Sequence, residues 1–153
     1  MRTTILFLAV ALAACSSAEP GAPGVRLTAR VDRSLVQSTD SVRISLTLTN
    51  VSAQPMQVMP AEAYGFCMHA FEVFDVRNRP VSVAQGLCAL VSIWVPAPVT
   101  LRSMESIEIN DWWKPAESSI DGAPLVPGAY VLRGRVFAGD QLARSAGRTV
   151  VVQ

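Results

Sequence analysis

Few side chains in this 153-residue sequence could do chemistry, and most of them fall in one stretch. Met56, Met59, Cys67, Met68, His69 and Cys88 offer thioether, thiolate and imidazole ligands, a set that suits Cu(I). In an extended strand Cys67 and His69 share a face while Met68 points away, so the three converge only where the chain bends. The same methionines also read as core filler in a β-rich apolar segment, and a disulfide would consume both thiolates. His69 is the only histidine, so a serine or cysteine triad would have to centre on it, and Cys67 is the nearest nucleophile. No paired-carboxylate motif, phosphate-cradling glycine loop or zinc-protease helix occurs. The expectation is a protein that is not an enzyme and carries no cofactor, with copper binding through Met56, Met59, Met68 and His69 as a lesser alternative.

A different chemistry sits at the start of the chain. Arg2 supplies a minimal positive region, Ile5 to Ala11 form an apolar run, and Leu12-Ala13-Ala14-Cys15 closes it with small residues and a cysteine. The run is too short to span a ~30 Å hydrocarbon core with margin, which suits a signal peptide better than a transmembrane helix. Its closing tetrapeptide resembles the lipobox of bacterial lipoproteins. That resemblance implies that Cys15 is diacylated, that residues 1–14 are removed, and that the new amino terminus is acylated. The alternative is an ordinary signal peptide with an accidental cysteine. Each acyl CH₂ contributes ~0.8 kcal/mol on burial, so two or three chains would anchor the protein permanently. Ser16 rather than aspartate follows the cysteine, which resembles the outer-membrane sorting pattern of Gram-negative lipoproteins. The expected address is the cell envelope, on the periplasmic side of the outer membrane.

Residues 15–24, from Ser16-Ser17-Ala18-Glu19-Pro20 to Gly21-Ala22-Pro23-Gly24, read as a polar tether. Residues 25–153 then make one domain of about 130 residues, long enough to bury a core. Without Arg2, twelve basic side chains face twelve acidic ones. With neither a basic stripe nor a run of like charge, nucleic acid is not an expected partner. If Cys15 carries lipid, Cys67 and Cys88 remain as an even pair in an oxidising compartment, and a disulfide is expected. Closing a loop of ~22 residues would stabilise by roughly 3 kcal/mol in the chain-entropy model. Two separate buried thiols are the alternative.

The elements that would position these residues read as strands punctuated by turns. Val25, Leu27, Ala29 and Val31 alternate with Arg26, Thr28 and Arg30; Val42, Ile44, Leu46 and Leu48 alternate with Arg43, Ser45, Thr47 and Thr49. Period two marks half-buried strands. Met56 to Met59 and Phe71 to Val76 follow, the latter closing in an Arg77-Asn78-Arg79-Pro80 turn, where Asn tolerates positive φ. Val81 to Val83 returns from it. Leu87 to Val95 reads as a buried strand, and Thr100 to Asn110 as one continuous strand. Asp111 to Pro127 reads as a long turn-rich connection. Ala129 to Phe137 and Arg148 to Val152 close the domain. Seven to nine strands without a long amphipathic helix indicate an all-β sandwich.

The order Ile44-Ser45-Leu46-Thr47-Leu48-Thr49-Asn50, Phe71-Glu72-Val73-Phe74-Asp75, Trp113, then Gly122-Ala123-Pro124-Leu125-Val126-Pro127-Gly128-Ala129-Tyr130 resembles the BsuPI-type intracellular proteinase inhibitor domain. The resemblance covers about 100 residues, roughly Val42 to Val136, within the usual size of one domain. It implies an immunoglobulin-like antiparallel sandwich. It also suggests proteinase inhibition, for which Asp111 to Pro127 would be the exposed loop offered to a protease cleft.

Trp112 and Trp113 are adjacent, so in an extended segment one points inward and the other outward. The outward indole would be a recognition residue or a lid over the sandwich edge. Tyr130, after Pro127-Gly128, reads as a corner tyrosine whose hydroxyl bonds backbone. The function these features suggest is a non-catalytic module that binds an envelope protein or peptide. Intact-mass analysis should find residues 1–14 absent and Cys15 acylated, and the unfolded, unreduced protein should titrate no free thiol. An unmodified cysteine, or two reactive thiols, would contradict those two readings respectively.

Overall fold

The computed structural model describes residues 22–64, 68–84 and 97–153. Cys15, Cys67 and Cys88, the leader, most of the tether, and the strand expected over Leu87 to Val95 lie outside the described residues. No helix in the described part is long and apolar enough to cross a membrane.

The chain is an all-β sandwich of two sheets. The small sheet holds β1 (Val25–Val31), β3 (Val42–Asn50) and β8 (Ser106–Trp113), in the order β1-β3-β8 and antiparallel throughout. The large sheet runs β10 (Ala123–Pro124), β9 (Ser118–Ile120), β6 (Pro80–Val83), β5 (Phe71–Asp75), β11 (Gly128–Ala138), β13 (Arg148–Val152), β2 (Leu35–Val36). Three further short strands extend it: β12 (Gln141–Arg144) and β4 (Met56–Val58) both pair β11, and β7 (Val99–Leu101) pairs β4. This gives thirteen strands among the described residues, against the seven to nine expected. The excess comes from two- and three-residue strands such as β2, β7, β9 and β10, which pairing creates and no sequence period announces.

Alternation decides which face enters the core. Val42, Ile44, Leu46 and Leu48 of β3 are fully buried, as are Ile109 and Trp113 of β8 and Leu132, Val136 and Val150 of the facing sheet. Burying each such aliphatic side chain is worth about 1.5–3 kcal/mol, so β3, β8, β11 and β13 carry much of the stability. The indole of Trp113 lies 5.8 Å from the ring of Tyr130 across the sandwich, and its Nε1–H donates to Ser118 Oγ at 3.0 Å. β11 is shared: its first half pairs β5 and β13, its second half β12 and β4. Gly134 stands at the fork. A Cβ there would come within 2.5 Å of Leu46 Cδ2, so the core requires a bare backbone at this point.

Several turns are built as the sequence suggests. Asp75 Oδ1 accepts the backbone N–H groups of Arg77 and Arg79 at 2.9 and 2.8 Å, and Oδ2 accepts Arg79 Nε–H at 2.8 Å. These bonds, above all the one from Arg79 N–H, hold the Asp75 carboxyl below its ordinary 3.8. Asn78 takes φ 59° in that turn. Tyr130 is a corner tyrosine: its hydroxyl donates to the Val126 carbonyl at 2.6 Å, and burial raises its pKa.

Two segments differ from expectation. Thr100 to Asn110 is not one strand, because the chain leaves the large sheet after Leu101 and enters the small one at Ser106. Asn50, wholly buried, dictates the break. Its Nδ2 donates to the carbonyls of Gln54 (2.8 Å) and Leu101 (3.0 Å), and its backbone carbonyl accepts Met104 N–H at 2.8 Å. Met104 then turns at φ 63°. Asp111 to Pro127 is not a long exposed loop either. Asp111 to Trp113 complete β8, Pro115–Glu117 form a 3-10 turn, and β9 and β10 follow as a paired hairpin that turns at Asp121 and Gly122.

Replacing Tyr130 with Phe should lower unfolding free energy by about 1 kcal/mol through loss of the bond to Val126. Chemical denaturation checks this, and an unchanged midpoint would deny the hydroxyl a structural role.

Candidate functional site

The sequence singled out His69, and the structure gives it a partner that sequence reading missed. Asp111 is 3% exposed on β8, while His69 lies just before β5, so the pair joins the two sheets. The carboxylate has three sources of donors. Asp111 Oδ2 accepts Ala70 N–H at 2.8 Å and His69 Nδ1–H at 3.2 Å, and Oδ1 accepts Trp112 N–H at 2.7 Å. On the other side of the ring, His69 Nε2–H donates to the Ala84 carbonyl at 3.1 Å, at the end of β6. The ring is also tilted against Phe71, with centroids 4.8 Å apart.

Both imidazole nitrogens therefore face acceptor oxygens. A neutral ring can donate from only one of them, whereas the imidazolium satisfies both. The His69 pKa is accordingly raised from 6.5, first by the bond to Asp111 and then by the Ala84 carbonyl and the carboxylate charge; burial and the Arg135 guanidinium oppose it. In the doubly protonated state the ring has no lone pair for a metal ion or a substrate proton. The geometry thus favours the protonated ring over the neutral one.

Two cavities flank this pair. One, of about 250 Å³, is lined by His69, Phe71, Glu72, Val81, Val83 and Arg135 among others. The second, of about 230 Å³, opens between β8 and the end of β6, lined by His69, Ala84, Asn110, Trp112, Lys114 and Glu117 among others. Arg135 Nη1–H donates to Glu72 Oε1 at 3.3 Å, and Lys114 Nζ–H to Glu117 Oε1 at 2.9 Å, so the rims carry paired charges.

The adjacent tryptophans separate as parity requires. Trp113 is buried with no exposed surface, and Trp112 is the outward member at 51% exposure on the rim of the second cavity. Met56, Met59 and Met68 are partly buried and packed against the core, Met68 forming a bridge with Tyr64. Among the described residues no three His, Cys, Asp or Glu side chains group to hold a metal ion. A signal for Asp111 was present: extending the Ile107, Ile109 alternation reaches Asp111 and Trp113, which places the carboxylate inward.

No protein-family model and no curated protein matches the chain. Among solved structures, a b-glucosidase, EmGH1, from Erythrobacter marinus overlaps 84% of this chain at 14% identity and a TM-score of 0.45. The alkylpurine DNA glycosylase AlkC of Pseudomonas fluorescens, bound to DNA containing an abasic site analog, overlaps 83% at 9% identity and a TM-score of 0.43. The chain corresponds to 15% and 30% of the lengths of those two proteins. A structural-genomics target, SoR45, overlaps 84% of this chain and 83% of its own at 9% identity and a TM-score of 0.36. Likenesses this distant say nothing about what the chain does.

Because the folded pKa of His69 lies above its unfolded value of about 6.5, the pair stabilises fully below that pH. The contribution is lost as pH rises through the folded pKa. The thermal midpoint should therefore fall across that window in the native protein and stay level in His69→Gln, as followed by circular dichroism. Parallel profiles for the two would rule the linkage out.

Proposed function

We propose that this chain is a non-catalytic binding module of the cell envelope, held at the periplasmic side of the outer membrane through a lipidated Cys15. A protein or peptide partner lies along the outer edge of β8. The observation that supports this reading is the state of that edge. β8 pairs β3 on one side and no strand on the other among the described residues, and the cavity of about 230 Å³ opens beside it. A strand edge offers N–H and C=O groups that an extended peptide can complete, with adjoining pockets reading its side chains. The expected Cys67 to Cys88 disulfide would brace the chain between β4 and β7. The alternative, a BsuPI-type proteinase inhibitor, draws on the sequence resemblance and on the surface turn at Asp121 to Pro127, where Val126 is exposed.

A photo-crosslinking residue at Glu108, on β8, should capture an envelope protein from intact cells, and one at Leu35, on β2, should not. Equal capture at both positions, or none at Glu108, would remove the edge as the docking site. Inhibition of a protease from a standard panel by the intact lipoprotein would transfer the reading to the alternative.

A further inference from the structure

The outer face of the small sheet has a composition unlike the rest of the surface. Register aligns its outward side chains in rows across the three strands: Arg26, Thr49 and Ser106; Thr28, Thr47 and Glu108; Arg30, Ser45 and Asn110; then Arg43 and Trp112. Every outward position carries a hydroxyl, a guanidinium, an amide or a carboxylate, except Trp112.

Part of this face is fixed in advance. Arg43 donates from Nε and Nη2 to Asn110 Oδ1 at 3.2 and 3.0 Å, and Ser45 Oγ–H donates to the same oxygen at 2.7 Å. Asn110 Nδ2–H reaches Glu108 Oε1 at 3.3 Å, and Thr49 Oγ1 lies 2.8 Å from Ser106 Oγ. Arg43 thus commits two of its five N–H donors, leaving the rest directed outward beside the indole. Arg26 and Arg30 have no side-chain partner among the described residues. Three guanidinium groups stand against two carboxylates, Glu108 on the face and Asp32 at its end, where Oδ1 accepts Arg43 N–H at 3.0 Å, and leave the face with an excess of positive charge around Arg26 and Arg30.

These features select among occupants. A protein hot spot needs an apolar, desolvated centre, and one indole amid hydroxyls does not make one. Insertion into a bilayer surface needs an apolar face of comparable extent, which this sheet lacks. A sugar ring needs one flat aromatic surface for its C–H face and a fixed array of donors and acceptors for its hydroxyls. Guanidinium forks match carboxylates in geometry and charge. Arg26 and Arg30 are about 13 Å apart at ~3.3 Å per residue, so the face addresses a run of sugars.

We infer that the outer face of β1-β3-β8 is a docking surface for an acidic polysaccharide, with Trp112 stacking on one ring and Arg26, Arg30 and Arg43 receiving the carboxylates. It shares Trp112 with the cavity beside the edge of β8, whereas Arg26 and Arg30 lie on β1, two strands away from that edge.

The test is titration calorimetry of the full-length protein in detergent micelles with oligogalacturonate. Neutral cello-oligosaccharide and phosphatidylglycerol vesicles serve as the other arms. Oligogalacturonate should bind, more weakly at high salt. Trp112→Ala and the pair Arg26→Gln, Arg30→Gln should each weaken it about tenfold or more, the loss expected for a charge-assisted contact. All three positions are exposed, so thermal midpoints should not move. Absence of binding, binding indifferent to these substitutions, or stronger arginine-dependent binding to the vesicles would overturn the inference. Crosslinking from Glu108 in the Arg26→Gln, Arg30→Gln protein should persist, which keeps the outcome separate from that of the peptide edge.

Discussion

A carboxylate taken out of water is tolerable only when its oxygens are supplied with donors, and Asp111 meets that demand by recruiting the opposite sheet. Its partners Ala70 N–H and His69 Nδ1–H belong to the run into β5, while Trp112 N–H belongs to its own strand. Breaking such a buried arrangement by removing one member costs about 3–5 kcal/mol, because the group left behind keeps its charge without its donors. One consequence is geometric. The end of β8 cannot drift from the start of β5 without exposing that cost, so the position of Trp112 is fixed from behind.

The same constraint orders the surroundings of His69. Ala70 is clamped on both sides, its N–H to Asp111 and its carbonyl to Arg135 N–H at 2.7 Å, so the imidazole is presented from rigid backbone. With Ala84 closing the far side, the ring joins three elements: β8, the approach to β5 and the end of β6. Both cavities described above border His69, one on each side of the ring.

What could be read from the sequence was what repeats locally. The alternations of β1 and β3 predicted their buried faces, with Thr49 the buried exception on the outward set, and Asn78 and Tyr130 announced a turn and a corner through local chemistry. The break between β7 and β8 could not be read, since the alternation runs straight across Arg102 to Glu105. What bends the chain there is an amide on Asn50, 51 residues distant from its partner Leu101. The hairpin to β12 carried a signal in Gly139-Asp140, a two-residue turn with positive φ at the glycine, beside a strand too short to show a period. Within the candidate site, parity gave one inward and one outward tryptophan, and the phase of Ile107 and Ile109, carried past Asn110, makes Trp113 the inward one. The His69 to Asp111 contact is non-local and leaves no mark in spacing.

Ala22 and Gly24, the first described residues, are tied to the corner after Asn50. Gly24 at φ 81° offers its carbonyl to the N–H groups of Val51 and Ser52 at 2.9 and 3.2 Å, and Val25 N–H returns to the Ala22 carbonyl. Whatever precedes Ala22 therefore departs from the Asn50 end of β3, while Trp112 sits opposite Arg43 at the other end, about 23 Å along a strand rising ~3.3 Å per residue. The entry of the chain and its outward indole thus occupy opposite ends of the small sheet, with Arg26 near the first and Arg43 beside the second.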